Sequence, residues 1–348
     1  MLSLHHGWKR DGLVMARAPH GDGSEVVGDP CIVWDPDHAA WRMFLFFDPP
    51  GHATALAVGD QNAAEEWGET TPIEFANPEL LPGGTHKPFI VMDAHRPNHA
   101  ARVDGRYWLL TVSHDGRARE KRVQRAHATS LAGPWTLEER ELIPRGQGDA
   151  FDAEHVDAVS GYWFPELDTF VYYYMGYPAR PQQHVHSPLG SSIGVATQGR
   201  GDTEAVKQGV MLTPSPDPEH WAAGWLGGIQ IFPGTEHRWV AVLNASPTPP
   251  DGSGRLTSEE PAPSLGGFAH TDAEIPTSGW ELDEQPIEWV SDIPDDAIER
   301  GEGTNLWRQH ILVLRDSVRL YYNSGFYGRE QLYSKTADRA VAGIADTA

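Results

Sequence analysis

Within the stretch Phe151 to Tyr177, FDAEHVDAVSGYWFPELDTFVYYYMGY, four ionisable side chains, Asp152, Glu154, His155 and Asp157, fall inside six residues. Carboxylates and an imidazole this close together can divide acid and base work, one group giving a proton and another taking it. The residues that follow must hold them in place. Tyr162, Trp163 and Phe164, and then Phe170-Val171-Tyr172-Tyr173-Tyr174, are aromatic and β-branched as strand residues are, and Pro165-Glu166-Leu167-Asp168 is the turn between them. A charged loop that empties into a meander predicts a site at one end of a small sheet, where rigid strands fix what the loops present.

The same design recurs along the chain. A first unit runs Gly28 to Trp34, turns at Asp35-Pro36-Asp37, returns as Trp41 to Phe47 and adds a strand at Thr54 to Val58. A second is expected to open at Arg96 to Ala100, turn at Asp104-Gly105, a strong hairpin signal, and return as Tyr107 to Ser113 with Arg122 to Thr129 outside. The organising stretch is the third unit, with Ser192 to Ala196 as its outer strand. A fourth comprises Leu226 to Phe232, a Pro233-Gly234 turn and Arg238 to Leu243; a fifth comprises Leu306 to Leu314, a turn at Arg315-Asp316, Val318 to Asn323 and Glu330 to Ser334. Helical periodicity is nowhere sustained, and Gly and Pro punctuate too often for helices.

Five meanders of this size predict an all-β fold, a five-bladed β-propeller spanning residues 1–348 as one domain. A β-sandwich is the competing arrangement, disfavoured because the repeating unit is a meander rather than a single evenly spaced strand. The Pro-, Gly- and Ser-rich segment 246–263 reads as a flexible surface insert between the fourth and fifth units.

The formal charge of -22 opposes a nucleic-acid backbone or an anionic membrane surface as partner. No apolar run is long enough to span a bilayer, and the opening residues MLSLHHGWKRDG carry no export signal. The single cysteine, Cys31, forms no internal disulfide and reads as a small buried residue. These features together predict a cytoplasmic protein.

Three short motifs then align. Gly28-Asp29-Pro30 leading into a strand, the run His127-Ala128-Thr129-Ser130-Leu131-Ala132-Gly133-Pro134-Trp135-Thr136, and the late Leu320-Tyr321-Tyr322-Asn323-Ser324-Gly325 resemble the five-bladed propeller glycosidases, the group that holds glycoside hydrolase families 43, 32, 117 and 130. The resemblance covers the whole chain in blade rhythm. It implies a general base from the Asp of the first-blade Asp-Pro pair, a second Asp opening the third blade that tunes the acid, and a general-acid Glu opening the fourth. Asp29 matches the first position and Asp152 the second. At the third position this sequence has Trp225-Leu226-Gly227-Gly228, without a carboxylate, which points to a divergent relative closer to families 117 or 130.

Glycosidic cleavage needs a protonated acid at the leaving oxygen and a carboxylate facing it across the bond. Asp29 is the expected base and Asp152 the modulator, or alternatively the acid. The other acid candidates are Glu154, then Glu302 ahead of the fifth blade, then His155. The competing reading of both aspartates is as turn formers that bond their own backbone. Trp225, Trp307 and Tyr327, on strand starts or loops, are candidates to stack on a sugar ring, whereas Trp41, Trp108, Trp163 and Trp239 read as core. Arg96, Asn98, His99, His155, Arg308 and His310 are expected to face the channel and bind hydroxyls, a carboxylate or a phosphate, the last implying a phosphorylase.

Seventeen histidines raise a metal alternative built on His95 and His99, His184 and His186, with Asp152 and His155. Pro97 between the first pair opposes the helix that i, i+4 ligands need, and no metal or other cofactor is expected. The expectation is therefore a glycoside hydrolase acting on a small carbohydrate, with no nucleic acid or membrane as partner. A non-catalytic sugar-binding propeller and a metal-dependent lyase or hydrolase are the alternatives.

Overall fold

Phe170 to Met175 is buried throughout although it contains three consecutive tyrosines. Successive strand residues point to opposite faces, so such a run requires a sheet covered on both sides. Each tyrosine hydroxyl finds its own partner: Tyr172 donates to Gln198 Oε1 at 2.9 Å, Tyr173 to the Pro276 carbonyl at 3.0 Å and Tyr174 to Asp152 Oδ2 at 3.0 Å. Burial leaves the Tyr172 phenol pushed up to about 12, so it stays a neutral donor.

The covering layers are neighbouring sheets. The structure, a computed structural model, describes residues 6–16, 26–47, 53–59, 66–81, 84–114, 121–179, 190–247, 264–287, 306–325 and 330–345. Five antiparallel sheets make a five-bladed β-propeller. From the axis outward, blade I comprises Val27–Asp35, Ala40–Phe47, Ala53–Gly59 and Thr71–Pro72; blade II comprises Thr85–Ile90, Tyr107–His114, Lys121–Ala128 and Thr136–Leu137. Blade III comprises His155–Phe164, Thr169–Tyr177, Ser192–Gly199 and Val206–Leu212, with the short strand Met92–Asp93 added in parallel along its inner edge. Blade IV comprises Trp225–Pro233, Trp239–Ser246, Leu265–Thr271 and Glu281–Pro286.

Blade V takes Trp307–Val313, Ser317–Ser324 and Gln331–Asp338 from the end of the chain and its outermost strand, Lys9–Met15, from the beginning. That antiparallel pairing, Lys9 opposite Thr336 through Met15 opposite Leu332, closes the ring without leaving a long edge. Leu13, half-exposed on that strand, gives it only a weak strand pattern in the sequence.

The second blade corrects the sequence-based boundary. Its inner strand is Thr85–Ile90, not residues 96–100. Pro88 hides it, because proline ordinarily marks a segment as non-strand. Here Pro88 lies in a bulge between His86 and Phe89, where no ladder donor is required. Blades II and III are joined by Arg125, whose guanidinium meets Glu138 twice, Gln198 and Tyr172, and lies 4.5 Å over Trp108. The run ending in Gly133-Pro134-Trp135 packs on the other side of blade II, toward blade I: Trp135 is fully buried, edge-on to Phe44 at 6.1 Å, and its amide bonds the Glu74 carbonyl. Residues 248–263 of the anticipated insert lie outside the described residues.

Candidate active site

Every innermost strand carries a bulge at the same place. The ladder skips two residues between Gly28 and Cys31, His86 and Phe89, Asp157 and Ser160, Leu226 and Ile229, and Trp307 and His310, in each case opposite one residue of the second strand. A bulge re-aims the side chains it carries. The first skipped residues are Asp29, Lys87, Ala158, Gly227 and Arg308, and the four that are not glycine adopt positive φ, 52°, 54°, 49° and 38° respectively. Left-handed backbone at a non-glycine residue is strained, and strain of this kind collects at sites rather than in plain scaffold.

The bulges bring charged groups from four blades together. Lys87 Nζ donates to both carboxylate oxygens of Asp157 at 2.7 Å, and Lys121 Nζ makes a shorter contact with Asp157 Oδ2. Asp157 is completely buried and also accepts from its neighbour's amide, Ala158 N–H, at 2.7 Å. Burial alone would raise this carboxyl; Lys121 and Lys87 outweigh it and hold Asp157 well below the usual carboxylate range. Burial and the nearby Lys121 in turn bring the Lys87 ammonium down to about 8, against the opposing pull of Asp157.

Asp29 is anchored from blade V: Asn323 Nδ2 donates to its Oδ1 at 3.0 Å, and the Asp29 amide donates to Asn323 Oδ1 at 2.7 Å. Gly28 permits this approach, because a Cβ there would lie 2.2 Å from the Asn323 amide. Arg308 crosses from blade V to the blade III bulge and donates to the carbonyls of Ala158 at 3.2 Å and Val159 at 3.3 Å. Its guanidinium fills the space beside the fourth blade, where a Cβ on Gly228 would lie 2.0 Å from Nη1. The missing fourth-blade carboxylate thus has a structural counterpart: glycine makes room there for an arginine.

Below the ring of charges the axis is closed by neutral polar groups. His310 Nε2 accepts from the Ile32 amide at 3.1 Å, and Asn98 Nδ2 reaches the Ile32 and Ile311 carbonyls at 3.1 and 3.0 Å. Gln230 accepts from Ile311 N–H at 2.7 Å and donates to its carbonyl at 3.1 Å. Burial lowers the His310 imidazole to about 3, so it is neutral at physiological pH. Beside the ring, Trp225 and Trp307 stack with centroids 5.5 Å apart and planes 12° apart, clustering with Ala158, Met175 and Tyr177. Tyr177 and Trp307 keep a solvent-reachable edge.

The structure therefore brings Asp29, Arg308, Trp225 and Trp307 together. Asp152 lies elsewhere on blade III, bonded to Lys207 Nζ at 2.6 Å and Tyr174 OH at 3.0 Å over the outer strands; the carboxylate facing the axis is Asp157. Glu154 is half-exposed just ahead of the blade III inner strand, 3.9 Å from His155. His155 is buried, edge-on to Tyr177 at 5.7 Å, and neither ring nitrogen has a hydrogen-bond partner among the described residues; burial and then Lys121 lower its pKa.

Asn98 and His310 belong to the axial closure. Arg96 and His99 sit in the turn at the far end of the propeller: neighbouring His95 meets Glu166 and Phe164 at the blade III hairpin, and His99 Nδ1 bonds the Pro97 carbonyl. Glu302, Tyr327, His184 and His186 lie outside the described residues, among which no group of three or more potential metal ligands occurs. Lys87, Lys121, Asn323 and Asp157 as an axial group were missed in the sequence. One signal was available, since Lys87-Pro88 repeats the position of Asp29-Pro30 in its blade.

The architecture places the chain among five-bladed propellers. No family model and no curated protein matches the sequence. Solved structures do match over nearly the whole chain. A protein described as a glycoside hydrolase superposes with a TM-score of 0.65 at 13% identity, covering 94% of this chain and 92% of that one. A thermostable family-43 glycoside hydrolase gives 0.59 at 13% identity, covering 93% and 92%. The catalytic domain of the Coprinopsis cinerea family-62 α-L-arabinofuranosidase gives 0.63 at 10% identity, covering 99% and 100%. At such identities the likeness is one of fold. Among the described residues no helix is long and apolar enough to cross a membrane.

Proposed function

We propose that the axial pocket binds a small oligosaccharide or glycoside and hydrolyses it, with Asp29 as the carboxylate that activates water. The observation that carries this reading is the placement of Asp29: a bulge turns it into the axis, and Asn323 fixes its orientation through two hydrogen bonds. A general base needs such preorganisation. Trp307 and Tyr177 supply aromatic surface for a sugar ring beside it. The fold's likeness to structures described as glycoside hydrolases supports the same class, as an analogy of fold.

Asp157, held ionised by two lysines, is not the proton donor in this scheme. Glu154, at the rim beside His155, is the proposed acid; His155, its pKa lowered by burial, has both ring nitrogens buried and packs behind it against Tyr177 rather than meeting the sugar. The protein works in the cytoplasm on a soluble carbohydrate. Arg308, in the space beside Gly228, favours a second reading, a propeller that binds sugar without cleaving it.

Hydrolysis of nitrophenyl furanosides and pyranosides of both anomers separates the two, assayed with and without added phosphate. Wild type is expected to release nitrophenol from at least one. Asp29→Asn, which can still accept from Asn323, is expected to lose at least a hundredfold in kcat with the fold intact. Sugar binding without release by wild type would select the non-catalytic reading.

A further inference from the structure

We infer that the axial pocket takes an anionic sugar, a uronide whose ring carboxylate is received by the guanidinium of Arg308 and the ammonium of Lys87. The inference rests on the glycoside reading and names its substrate class. It begins with Arg308, which is enclosed by three blades yet keeps a solvent-reachable edge. Its hydrogen bonds go to two backbone carbonyls at 3.2 and 3.3 Å, and among the described residues it has no carboxylate within ion-pair distance. A guanidinium carries five donors in a planar fork. Enclosing one without an anion is unfavourable unless an anion arrives with the ligand.

Asp29 and Asp157 pull on the guanidinium from a distance, but neither bonds it. Both oxygens of Asp157 are taken by Lys87, and Lys121 shares one of them. Asp29 Oδ1 is engaged by Asn323. Among the described residues Lys87 and Lys121 share Asp157, whereas Arg308 meets no carboxylate. Burial lowers both Lys87 and Arg308 from their ordinary values, against the pull of Asp157 and Asp29.

The geometry further selects the kind of anion. A planar carboxylate matches the guanidinium fork with two parallel hydrogen bonds. The stacked Trp225 and Trp307, with Tyr177, lie against the blade III bulge that Arg308 bonds, so a ring on that aromatic surface places a carboxylate substituent beside the cation. The chain's charge of -22 repels anions at long range, but salt screens that field within about 8 Å at physiological ionic strength, leaving the cations lining the pocket to decide.

Calorimetric titration of the full chain with the methyl glycosides of glucuronic and galacturonic acid, both anomers, against methyl glucosides and galactosides tests this, with inorganic phosphate as a further ligand. At least one uronide is expected to bind tenfold or more tightly than its neutral counterpart. The advantage should fall at 0.5 M salt and vanish in Arg308→Gln, with Arg308→Lys retaining part of it. Neutral sugars that bind as tightly as uronides overturn the inference and leave the glycoside reading standing. Phosphate binding as tightly as the best uronide assigns the anion site to a free oxyanion and also overturns it. Binding by none of these ligands, together with no release from the nitrophenyl panel, removes both readings; discrimination by wild type alone decides the case if the Arg308 variants do not fold.

Discussion

The axial closure and the ring of bulges above it are built from the same inner strands, two residues apart in blade V, yet their polar groups meet opposite fates. In the closure, Asn98, Gln230 and His310 are neutral, buried and bonded to one another or to backbone groups of Ile32 and Ile311. In the ring, Asp29, Lys87, Asp157 and Arg308 are charged, and Lys87, Lys121 and Arg308 keep solvent-reachable edges. A saturated neutral network fixes blades against each other at modest electrostatic cost. Enclosed charges, with Arg308 bonded only to backbone carbonyls among the described residues, are costlier to hold, and that difference sets the two layers apart on a single axis.

The comparison is broken most severely at Asp157. Asp157→Asn leaves Lys87 enclosed without its anion and removes one from Lys121, and is expected to destabilise the chain by about 3–5 kcal/mol, read as a lower urea midpoint at unchanged slope. Since its folded pKa lies below the unfolded value, the Asp157 contribution is fully present above the usual carboxylate range and fades as pH falls through the folded value. A variant as stable as wild type would mean that the two lysines are hydrated rather than held.

His310 tests the closure in the same currency of unfolding free energy. His310→Ala leaves the Ile32 amide without its partner and opens a cavity, an expected cost of about 2–4 kcal/mol. The acid limb carries a second signature. Because burial brings the folded imidazole to about 3 from 6.5, the unfolded chain binds more protons between those values, so this contribution is fully present above pH 6.5 and is lost as pH falls toward 3. A wild-type stability as steep over that window as the His310→Ala variant's, once other groups are matched, would place the His310 charge elsewhere.

Blade rhythm was legible because each meander repeats apolar strands and turn residues at short range, as at Asp35-Pro36-Asp37 and Asp104-Gly105. The second blade was misplaced for a local reason: Pro88 in Thr85–Ile90 looks like a breaker until the bulge that excuses it is known. The site was half legible. Asp29, singled out by its dipeptide, lies in an axial bulge, and the acidic cluster lies in a stretch that reaches the axis, but periodicity does not say that Asp157 rather than Asp152 faces it. That choice is made by the bulge between Asp157 and Ser160 and by Lys207 and Tyr174, which draw Asp152 over the outer strands. Lys87 and Lys121 were invisible as a pair because their common partner lies 70 and 36 residues away.

The fourth-blade glycines give the smallest perturbation and the one that bears most directly on the charged ring. A Cβ at Gly228 would lie 2.0 Å from Arg308 Nη1, the far end of a flexible side chain, so the clash is relieved by moving the guanidinium rather than the strand. Gly228→Ala is therefore expected to cost only about 1 kcal/mol in stability while displacing Arg308 from the Ala158 and Val159 carbonyls. Its effect on ligands should exceed its effect on folding: any preference for acidic over neutral sugars should shrink severalfold with the unfolding midpoint nearly unchanged. A loss of stability as large as that of Asp157→Asn, with the preference intact, would show that the glycine serves the strand and not the arginine.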